Sequence, residues 1–320
     1  MSRIDEALRR TDGEHLGRAA RQGEVFKSAW TLTEPDHANE PEPISPRSTL
    51  LAAAPATAPA ATPAPAPTPT PVASPRSLLA EEPSTREMKE LKAAWTDRLT
   101  VSAQANPVLV EQFRRLAASL HHAQTNNGRL KVVMVTSAQP GDGKTLTAVN
   151  LALTLSESYR RRVLLIDSDL RRPSITNISH ASPQVGLSDG LKSASERKLS
   201  VLQLTEMLTF LPGGRPDPDP MGGLTSTRMQ HIIEEASSRF DWVILDAPPV
   251  GPVADANLLA AMADTVVFVV RAAASRYADV EKAIDLLGRD RIFGVVLNAL
   301  EPNSHEVQYY AEYHGVRKSR

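Results

Sequence analysis

From residue 131 onward, short and almost uniformly apolar segments alternate with longer segments whose apolar residues recur at helical spacing. The apolar segments predict strands at 131–137, 163–167, 207–211, 241–246, 265–270 and 292–298. The segments between them predict helices at 144–157, 225–239, 254–263 and 278–287. Strands that are apolar along their whole length are buried on both faces, which is typical of a parallel sheet covered by helices. The alternation therefore predicts an α/β fold with a mostly parallel central sheet and helices on both faces.

Proline usage sets the predicted domain boundaries. Thirteen of the 25 prolines fall between Pro35 and Pro83, and residues 52–73 are almost entirely Ala, Pro and Thr. Such a stretch cannot bury a core, so it is expected to form an extended, semi-rigid spacer. We therefore predict an N-terminal segment at 1–34, a disordered Pro/Ala-rich linker at 35–83, a folded domain at 84–304 and a C-terminal tail at 305–320. The domain would open with helices at 87–99 and 108–122.

The N-terminal segment has two interpretations. Ile4, Ala7 and Leu8 share one face of a helix, which would suit a short docking helix. A frayed, charged terminus explains the same residues equally well.

Composition argues against several classes of protein. A net charge of −1 gives no basis for nucleic-acid binding, and a chain without cysteine has no disulfide, thiolate zinc site or cysteine nucleophile. Residues 1–21 are charged throughout and lack the apolar core of a signal peptide. The longest apolar stretch, 258–274, is interrupted by Asp264 and Arg271, so we interpret it as a helix end and a strand rather than a membrane span. We expect a cytoplasmic protein that is recruited to a membrane by a partner.

The strongest motif lies between a predicted strand and a predicted helix, where the chain reads Ala-Gln-Pro-Gly-Asp-Gly-Lys-Thr from 138 to 145. That context is required of a P-loop, whose backbone amides and helix N-terminus bind phosphates. Lys144 is expected to reach the β- and γ-phosphates, and the Thr145 hydroxyl to ligate Mg²⁺. Ala138 replaces the first glycine of the general pattern GxxxxGK[ST], and Leu146 occupies the position where a dinucleotide motif needs its third glycine. The predicted nucleotide-binding residues here are Gln139, Pro140, Gly141, Asp142, Gly143, Lys144, Thr145 and Leu146.

Three carboxylates are expected beside this loop. Asp167 and Asp246 each close an apolar strand, and Asp169 follows Asp167 by two residues. The carboxyl ends of parallel strands meet at one edge of a sheet, where phosphate chemistry is expected. Carboxylates there can hold Mg²⁺ or take a proton from an attacking hydroxyl. Lys144, Asp167 and Asp169 are thus catalytic candidates, and Thr145, Asp167 and Asp246 are candidate metal ligands. A solvated acidic turn is the alternative interpretation of 167–169.

Together these motifs resemble the Walker A, A′ and B motifs of the bacterial tyrosine kinases, a family that serves capsule and exopolysaccharide export. The A′ match is Ile-Asp-Ser-Asp-Leu-Arg-Arg-Pro at 166–173, the B match is Leu-Asp-Ala-Pro-Pro at 245–249, and the similarity extends over 106–313. The resemblance implies a P-loop NTPase fold, protein-tyrosine kinase activity, ATP and Mg²⁺ as cofactors, and nucleotide contacts from Arg171 and Asn298. The opening Met-Ser-Arg-Ile-Asp-Glu-Ala-Leu resembles the stand-alone tyrosine autokinases of exosortase-type exopolysaccharide loci.

The C-terminal tail carries the expected phosphate acceptors. Tyr309, Tyr310 and Tyr313 are three of only five tyrosines in the chain. The resemblance implies that such a tail is phosphorylated, because a tail can enter the active site of a neighbouring copy. We therefore expect a homo-oligomer held by tail-to-active-site contacts. A short amphipathic helix whose aromatic rings pack on the domain is the alternative.

Two positions bear on assembly and on competing functions. The family's Glu-x-x-Arg-x-x-Arg oligomerisation pattern falls on Glu111, Arg114 and Ala117, so its second arginine is missing unless Arg115 substitutes. Gln139 stands where partition and cell-division ATPases of the same P-loop subclass carry a signature lysine, which argues against such a switch. A nucleotide-sensing regulator of polysaccharide chain length without kinase activity stays open. Related kinases without a membrane span are activated by a membrane-spanning chain-length regulator, and we expect such a partner here.

Overall fold

The fold is built on one eight-stranded sheet. The computed structural model describes residues 77–81, 98–101, 105–175, 185–192, 198–251 and 253–300, all within one compact unit. The strands are β1 (Leu79–Glu81), β2 (Val132–Ser137), β3 (Val163–Asp167), β4 (Leu199–Gln203), β5 (Leu208–Leu211), β6 (Trp242–Asp246), β7 (Thr265–Arg271) and β8 (Ile292–Asn298). They lie in the order β1-β4-β5-β3-β6-β2-β7-β8, and every neighbouring pair is parallel except β4 and β5. The predicted mostly parallel sheet is confirmed.

Seven α-helices accompany the sheet in the described part of the chain. They are α1 (Pro107–Asn126), α2 (Lys144–Leu153), α3 (Leu187–Lys192), α4 (Met221–Leu224), α5 (Thr227–Arg239), α6 (Asp255–Met262) and α7 (Tyr277–Leu287). Side-chain caps explain where two of them begin, because Asn106 accepts a hydrogen bond from the Val108 amide and Ser226 accepts one from the Met229 amide. A π-helical turn, Thr154–Ser158, continues α2.

Each face of the sheet carries its own hydrophobic core. All six residues of β2 are buried, and their side chains alternate between the two faces. Val133 and Val135 belong to the cluster covered by α1 and α2, whereas Val132 and Met134 belong to the cluster covered by α5, α6 and α7. The predicted layers of helix, sheet and helix are therefore confirmed, and the carboxyl ends of β2, β3, β6, β7 and β8 share one edge.

Two strands at one end of the sheet differ from the prediction. β4 reads Leu-Ser-Val-Leu-Gln, with only two of its five residues buried, so its sequence lacks the apolar signal of the central strands. β1 has three residues and lies inside the predicted linker, yet it pairs with β4 from Leu79↔Leu199 to Glu81↔Val201. The predicted end of the linker at residue 83 is therefore wrong, because the sheet begins before that point.

Side chains of α5 hold the approach to β1 in place. Glu235 accepts hydrogen bonds from the Ser77 hydroxyl at 2.6 Å, the Leu78 amide at 2.6 Å and the Leu79 amide at 3.3 Å. Arg239 donates to the Leu79 carbonyl at 2.9 Å and pairs with Glu235 at 3.1 Å. These charged groups thus add polar contacts to the apolar packing of Leu79, which is buried in the hydrophobic core.

The remaining differences are at element ends or outside the described residues. α1 extends to Asn126 rather than 122, and the predicted helix 144–157 divides into α2 and the π-helical turn. The helix predicted at 87–99 lies outside the described residues except for 98 and 99, which belong to a turn. The N-terminal segment, most of the linker and the tail at 305–320 also lie outside. Within the described ranges, no helix combines the length and apolarity needed to cross a membrane.

Candidate active site

The loop between β2 and α2 has the backbone of a phosphate-binding turn. β2 ends at Ser137 and α2 begins at Lys144. Gly141 and Gly143 have φ of +88° and +99°, a left-handed conformation that favours glycine. The Gln139 amide donates to Asp142 Oδ2 across the turn at 3.0 Å. Strand, glycine turn and helix therefore follow one another as a P-loop requires.

The side chain of Lys144 lies at the carboxyl ends of the neighbouring strands. Its Nζ donates to Asp169 Oδ2 at 3.0 Å, and the two side chains are 12% and 7% exposed. Burial disfavours the charged amine, but the carboxylates of Asp246 and Asp169 outweigh that effect and raise the pKa of Lys144. The amine therefore stays charged, and it can exchange a carboxylate partner for a phosphate oxygen.

Asp167 and Asp246 form a buried pair of carboxyl groups. They are opposite one another in the register of β3 and β6, and neither is exposed to solvent. Asp167 Oδ2 accepts hydrogen bonds from the Ser174 and Ile175 amides at 2.9 and 3.0 Å. Burial and then the charge of Asp246 raise the pKa of Asp167 from 3.8 to about 8. Burial also raises the pKa of Asp246, to about 6, although Lys144 and the Thr145 hydroxyl oppose the rise.

Three carboxylate oxygens of this pair lack hydrogen-bond partners among the described residues, so they could act as ligands of a cation. Asp167 Oδ1 and both carboxylate oxygens of Asp246 are buried, and none of them is within hydrogen-bonding geometry of a described residue. The Thr145 hydroxyl lies near enough to Asp246 to lower its pKa, and 3.2 Å from Ser174 Oγ. Within the described ranges no group of three or more His, Cys, Asp or Glu side chains has metal-binding geometry. A cation here would therefore need oxygen ligands beyond the carboxylates, and a bound nucleotide carries them.

The structure separates the two nucleotide contacts that the resemblance implies. Asn298 lies against the P-loop, where its Nδ2 donates to the Asp142 carbonyl at 2.8 Å. Arg171 instead forms a bidentate ion pair with Asp255 at the start of α6, at 2.6 and 3.2 Å, and also contacts the Pro218 carbonyl. Leu146 packs beside the hydrophobic core. Nucleotide contacts from Arg171, Leu146 and Asn298 stay predictions.

Several residues at the site were outside the sequence prediction. Ser275, in the loop after β7, donates to Asp142 Oδ1 at 2.7 Å, and Asp279 accepts from Gln139 Nε2 at 2.7 Å. Ser174 meets both Asp167 and Thr145. Their position just beyond the carboxyl ends of β7 and β3 is the one signal that could have pointed to them.

The family's oligomerisation pattern is incomplete in α1, where Ala117 occupies the position of the second arginine. Ala117 is fully buried in α1, so a charged side chain at that position could not be presented to a neighbour. Arg115 Nε lies 3.7 Å from Glu111 of the same helix. The acceptor candidates Tyr309, Tyr310 and Tyr313 lie outside the described residues.

Comparison with known proteins agrees with this site. A profile of the ParA group, described as NUBPL iron-transfer P-loop NTPase, matches residues 129–315. The tyrosine-protein kinase YwqD of Bacillus subtilis (strain 168) is 34% identical over 204 residues, which cover 62% of this chain and 85% of YwqD. The tyrosine-protein kinase wzc of Salmonella typhimurium is 31% identical over 234 residues, 72% of this chain but 32% of wzc. The chain thus spans about a third of that longer relative.

Solved structures point the same way. The kinase domain of the Escherichia coli tyrosine kinase ETK is 28% identical, with a TM-score of 0.54 over 61% of this chain and 78% of that domain. The glycine turn, its lysine and the strand-end carboxylates stand in the order and edge position that this group requires. The chain therefore belongs to the bacterial tyrosine-kinase family within the ParA-type P-loop NTPases.

Proposed function

We propose that this chain is an ATP-dependent tyrosine autokinase that phosphorylates its own tail tyrosines in trans and thereby regulates exopolysaccharide or capsule production. One observation carries the proposal: the P-loop amine of Lys144 meets Asp169 at 3.0 Å, within a site that also contains Asp167 and Asp246. An amine suited to bind phosphate and a candidate base therefore lie at the same edge of the sheet, which supports the proposal. Membership of the bacterial tyrosine-kinase family supports the reaction type.

The phosphates and Asp169 compete for Lys144. When the amine turns to the phosphates, its contact with Asp169 Oδ2 is lost and that carboxylate becomes available to the incoming hydroxyl. In the proposed transfer, the tyrosine O–H proton passes to Asp169 while a bond forms between the tyrosine oxygen and the γ-phosphorus. The bond from the γ-phosphorus to the bridging oxygen breaks, and ADP leaves. Lys144 stabilises the charge that accumulates on the transferring group.

Thr145, Asp246 and Asp167 are the residues that would hold Mg²⁺. Their fit rests on the carboxylate oxygens that lack partners among the described residues and on the nearby Thr145 hydroxyl. When bound, the ion supplies positive charge to the phosphate oxygens. Asp167 is anchored by two backbone amides, so it is suited to orient other groups rather than to move.

The end of β8 is a suitable starting point for a tail that is delivered to an active site. β8 ends at Asn298 on the same edge as the P-loop, and the chain continues toward Tyr309. Roughly ten extended residues span ~35 Å, which is enough to leave the parent domain and reach a neighbouring one. The proposed partner, a membrane-spanning chain-length regulator, would recruit the chain to the membrane.

A mixing experiment tests transfer in trans. The donor carries Tyr309→Phe, Tyr310→Phe and Tyr313→Phe, and the acceptor carries Lys144→Met, so that neither copy can label itself. The proposal predicts that labelled phosphate from ATP appears on the acceptor's tail only when both copies are present. An unlabelled acceptor beside a wild-type chain that labels itself would show that transfer is not in trans. Absence of tyrosine label in every sample, with phosphate release intact, would reject the kinase and favour an ATPase.

A further inference from the structure

Two side chains at the carboxyl ends of the neighbouring strands β7 and β8 contact the P-loop, one from the loop after β7 and one from the last residue of β8. We call Ser275 and Asn298 the P-loop brace. Ser275 follows β7, Asn298 ends β8, and both contact Asp142 in the middle of the loop. Asp142 itself is 3% exposed, so these contacts are made inside the protein.

Ser275 is connected on both sides of its hydroxyl group. Its Oγ donates to Asp142 Oδ1 at 2.7 Å and accepts from the Arg271 amide at 3.0 Å. Asp142 Oδ2 accepts from the Gln139 amide at 3.0 Å. The carboxylate therefore bridges the start of the P-loop and the loop after β7. Since Ser275 is 4% exposed, it has almost no surface with which to contact a nucleotide.

Asn298 acts on the peptide group next to the P-loop lysine. Its Nδ2 donates to the Asp142 carbonyl at 2.8 Å. A Cβ atom on Gly143 would lie 1.9 Å from that Nδ2, so the side chain rests directly against the turn. The Asp142 carbonyl and the Gly143 N–H belong to one planar peptide unit, so holding the carbonyl fixes the direction of the N–H. Backbone N–H groups of this loop are the groups that bind phosphate.

We propose that Ser275 and Asn298 are positioning residues that hold the P-loop amides in their phosphate-binding orientation. The proposal rests on the proposed function only in requiring that this loop bind nucleotide phosphates. It assigns Asn298 an effect on phosphate binding that does not require contact with the base. It also makes the loop after β7 part of the nucleotide site, although that loop carries no recognised motif.

The test compares the affinity of wild type, Ser275→Ala and Asn298→Ala for Mg²⁺-ADP and for Mg²⁺-tripolyphosphate, which has no base, by titration calorimetry. Removing one hydrogen bond of the brace should weaken each ligand about three- to tenfold. Ser156→Ala is the matched control, because Ser156 is also buried but lies in the π-helical turn after α2, where its hydroxyl donates to the Leu153 carbonyl. Its affinities should equal those of wild type.

Ligand-free unfolding by urea separates positioning from loss of structure. The proposal predicts that Ser275→Ala loses affinity while its unfolding free energy changes no more than that of Ser156→Ala. If the alanine variant does not fold, Ser275→Cys keeps the shape of the side chain, slightly enlarged, with a much weaker donor and should show the same loss. Wild-type affinity in the folded Ser275 variants would overturn the proposal, and so would an Asn298→Ala variant that loses ADP but keeps tripolyphosphate. These binding measurements do not depend on tyrosine transfer, so the two proposals can fail separately. A chain that binds both ligands but phosphorylates no tyrosine would contradict the proposed kinase activity without contradicting the role of the P-loop brace.

Discussion

Replacing Asp167 with asparagine should stabilise the ligand-free protein while abolishing its activity. Burial raises the pKa of Asp167 from 3.8 to about 8, so the folded state takes up a proton that the unfolded chain releases at neutral pH. At pH 7 the solution is about three pH units above the ordinary pKa of an aspartate, and each unit corresponds to ~1.4 kcal/mol. Keeping Asp167 protonated in the folded state at pH 7 therefore costs ~4 kcal/mol. Asparagine has no such cost. Its amide oxygen can still accept from the Ser174 and Ile175 amides, and its NH₂ group can donate toward Asp246.

The sign of the pH dependence follows from the same shift. A carboxyl group whose pKa is raised in the folded state does not lower the free energy of unfolding at pH values below its unfolded pKa. As pH rises from the unfolded pKa to the folded pKa, that free energy falls steadily. Wild type should therefore lose up to ~1.4 kcal/mol of unfolding free energy per pH unit between about pH 5 and pH 7. Because Asp167 shares this environment with Asp246, we expect a gain of ~2–4 kcal/mol for Asp167→Asn at pH 7 rather than the full amount.

Urea unfolding with EDTA, at several values between about pH 5 and pH 8, measures both quantities. Asp285→Asn is the control, because that carboxylate is exposed on α7 and its replacement should change stability by no more than ~0.5 kcal/mol. The reasoning would be refuted if Asp167→Asn were no more stable than wild type at the upper end of this range, or if it kept the wild-type slope. A stabilised variant that cannot transfer phosphate would place Asp167 among residues retained for function at a cost in stability.

Three other predictions address the base, the edge strand and the partner. Asp169→Asn should lower turnover at least ~100-fold with little change in ATP affinity, as single-turnover assays and ADP titration will show, and wild-type turnover would remove Asp169 as the base. Glu235→Gln should release β1 and cost ~1–2 kcal/mol, seen as faster hydrogen exchange at Leu78 and Leu79. Burial opposes ionisation of Glu235, but the hydrogen bonds from Ser77, Leu78 and Leu79 lower its pKa below 4.5, so wild type should resemble this variant only when pH falls below that value. Adding the cytosolic tail of a membrane-spanning chain-length regulator should raise autophosphorylation, and an isolated chain already at full rate would count against that partner.

The sequence predicts the central strands and the P-loop because both are determined locally. β2, β3 and β6 are buried along their whole length and apolar except at their carboxyl ends, and the glycines at 141 and 143 allow a left-handed turn whatever surrounds them. β1 and β4 depend on partners far away in the chain. The approach to β1 is held by Glu235, more than 150 residues later, and no local pattern in Ser77–Glu81 indicates that contact.

Side-chain direction at the site is likewise a tertiary property. The Arg-Arg run after Asp169 is recognisable as a motif, yet the guanidinium of Arg171 is paired with Asp255. Ser275 lies in an alanine-rich stretch with nothing to single it out, and only the packing of β7 beside β2 brings it to Asp142. Sequence patterns thus predict which strand ends meet, whereas they leave open which side chains point inward.

The most direct test of the central claim is the position and amount of phosphate transferred from γ-labelled ATP with Mg²⁺. Wild type, the Lys144→Met variant and the variant with phenylalanine at 309, 310 and 313 are compared by mass spectrometry, after circular dichroism has shown that all three are folded. The account predicts label on the tail tyrosines of wild type, a loss of about 10³-fold or more in Lys144→Met, and no tail label in the phenylalanine variant. Equal tyrosine labelling of wild type and Lys144→Met would contradict it.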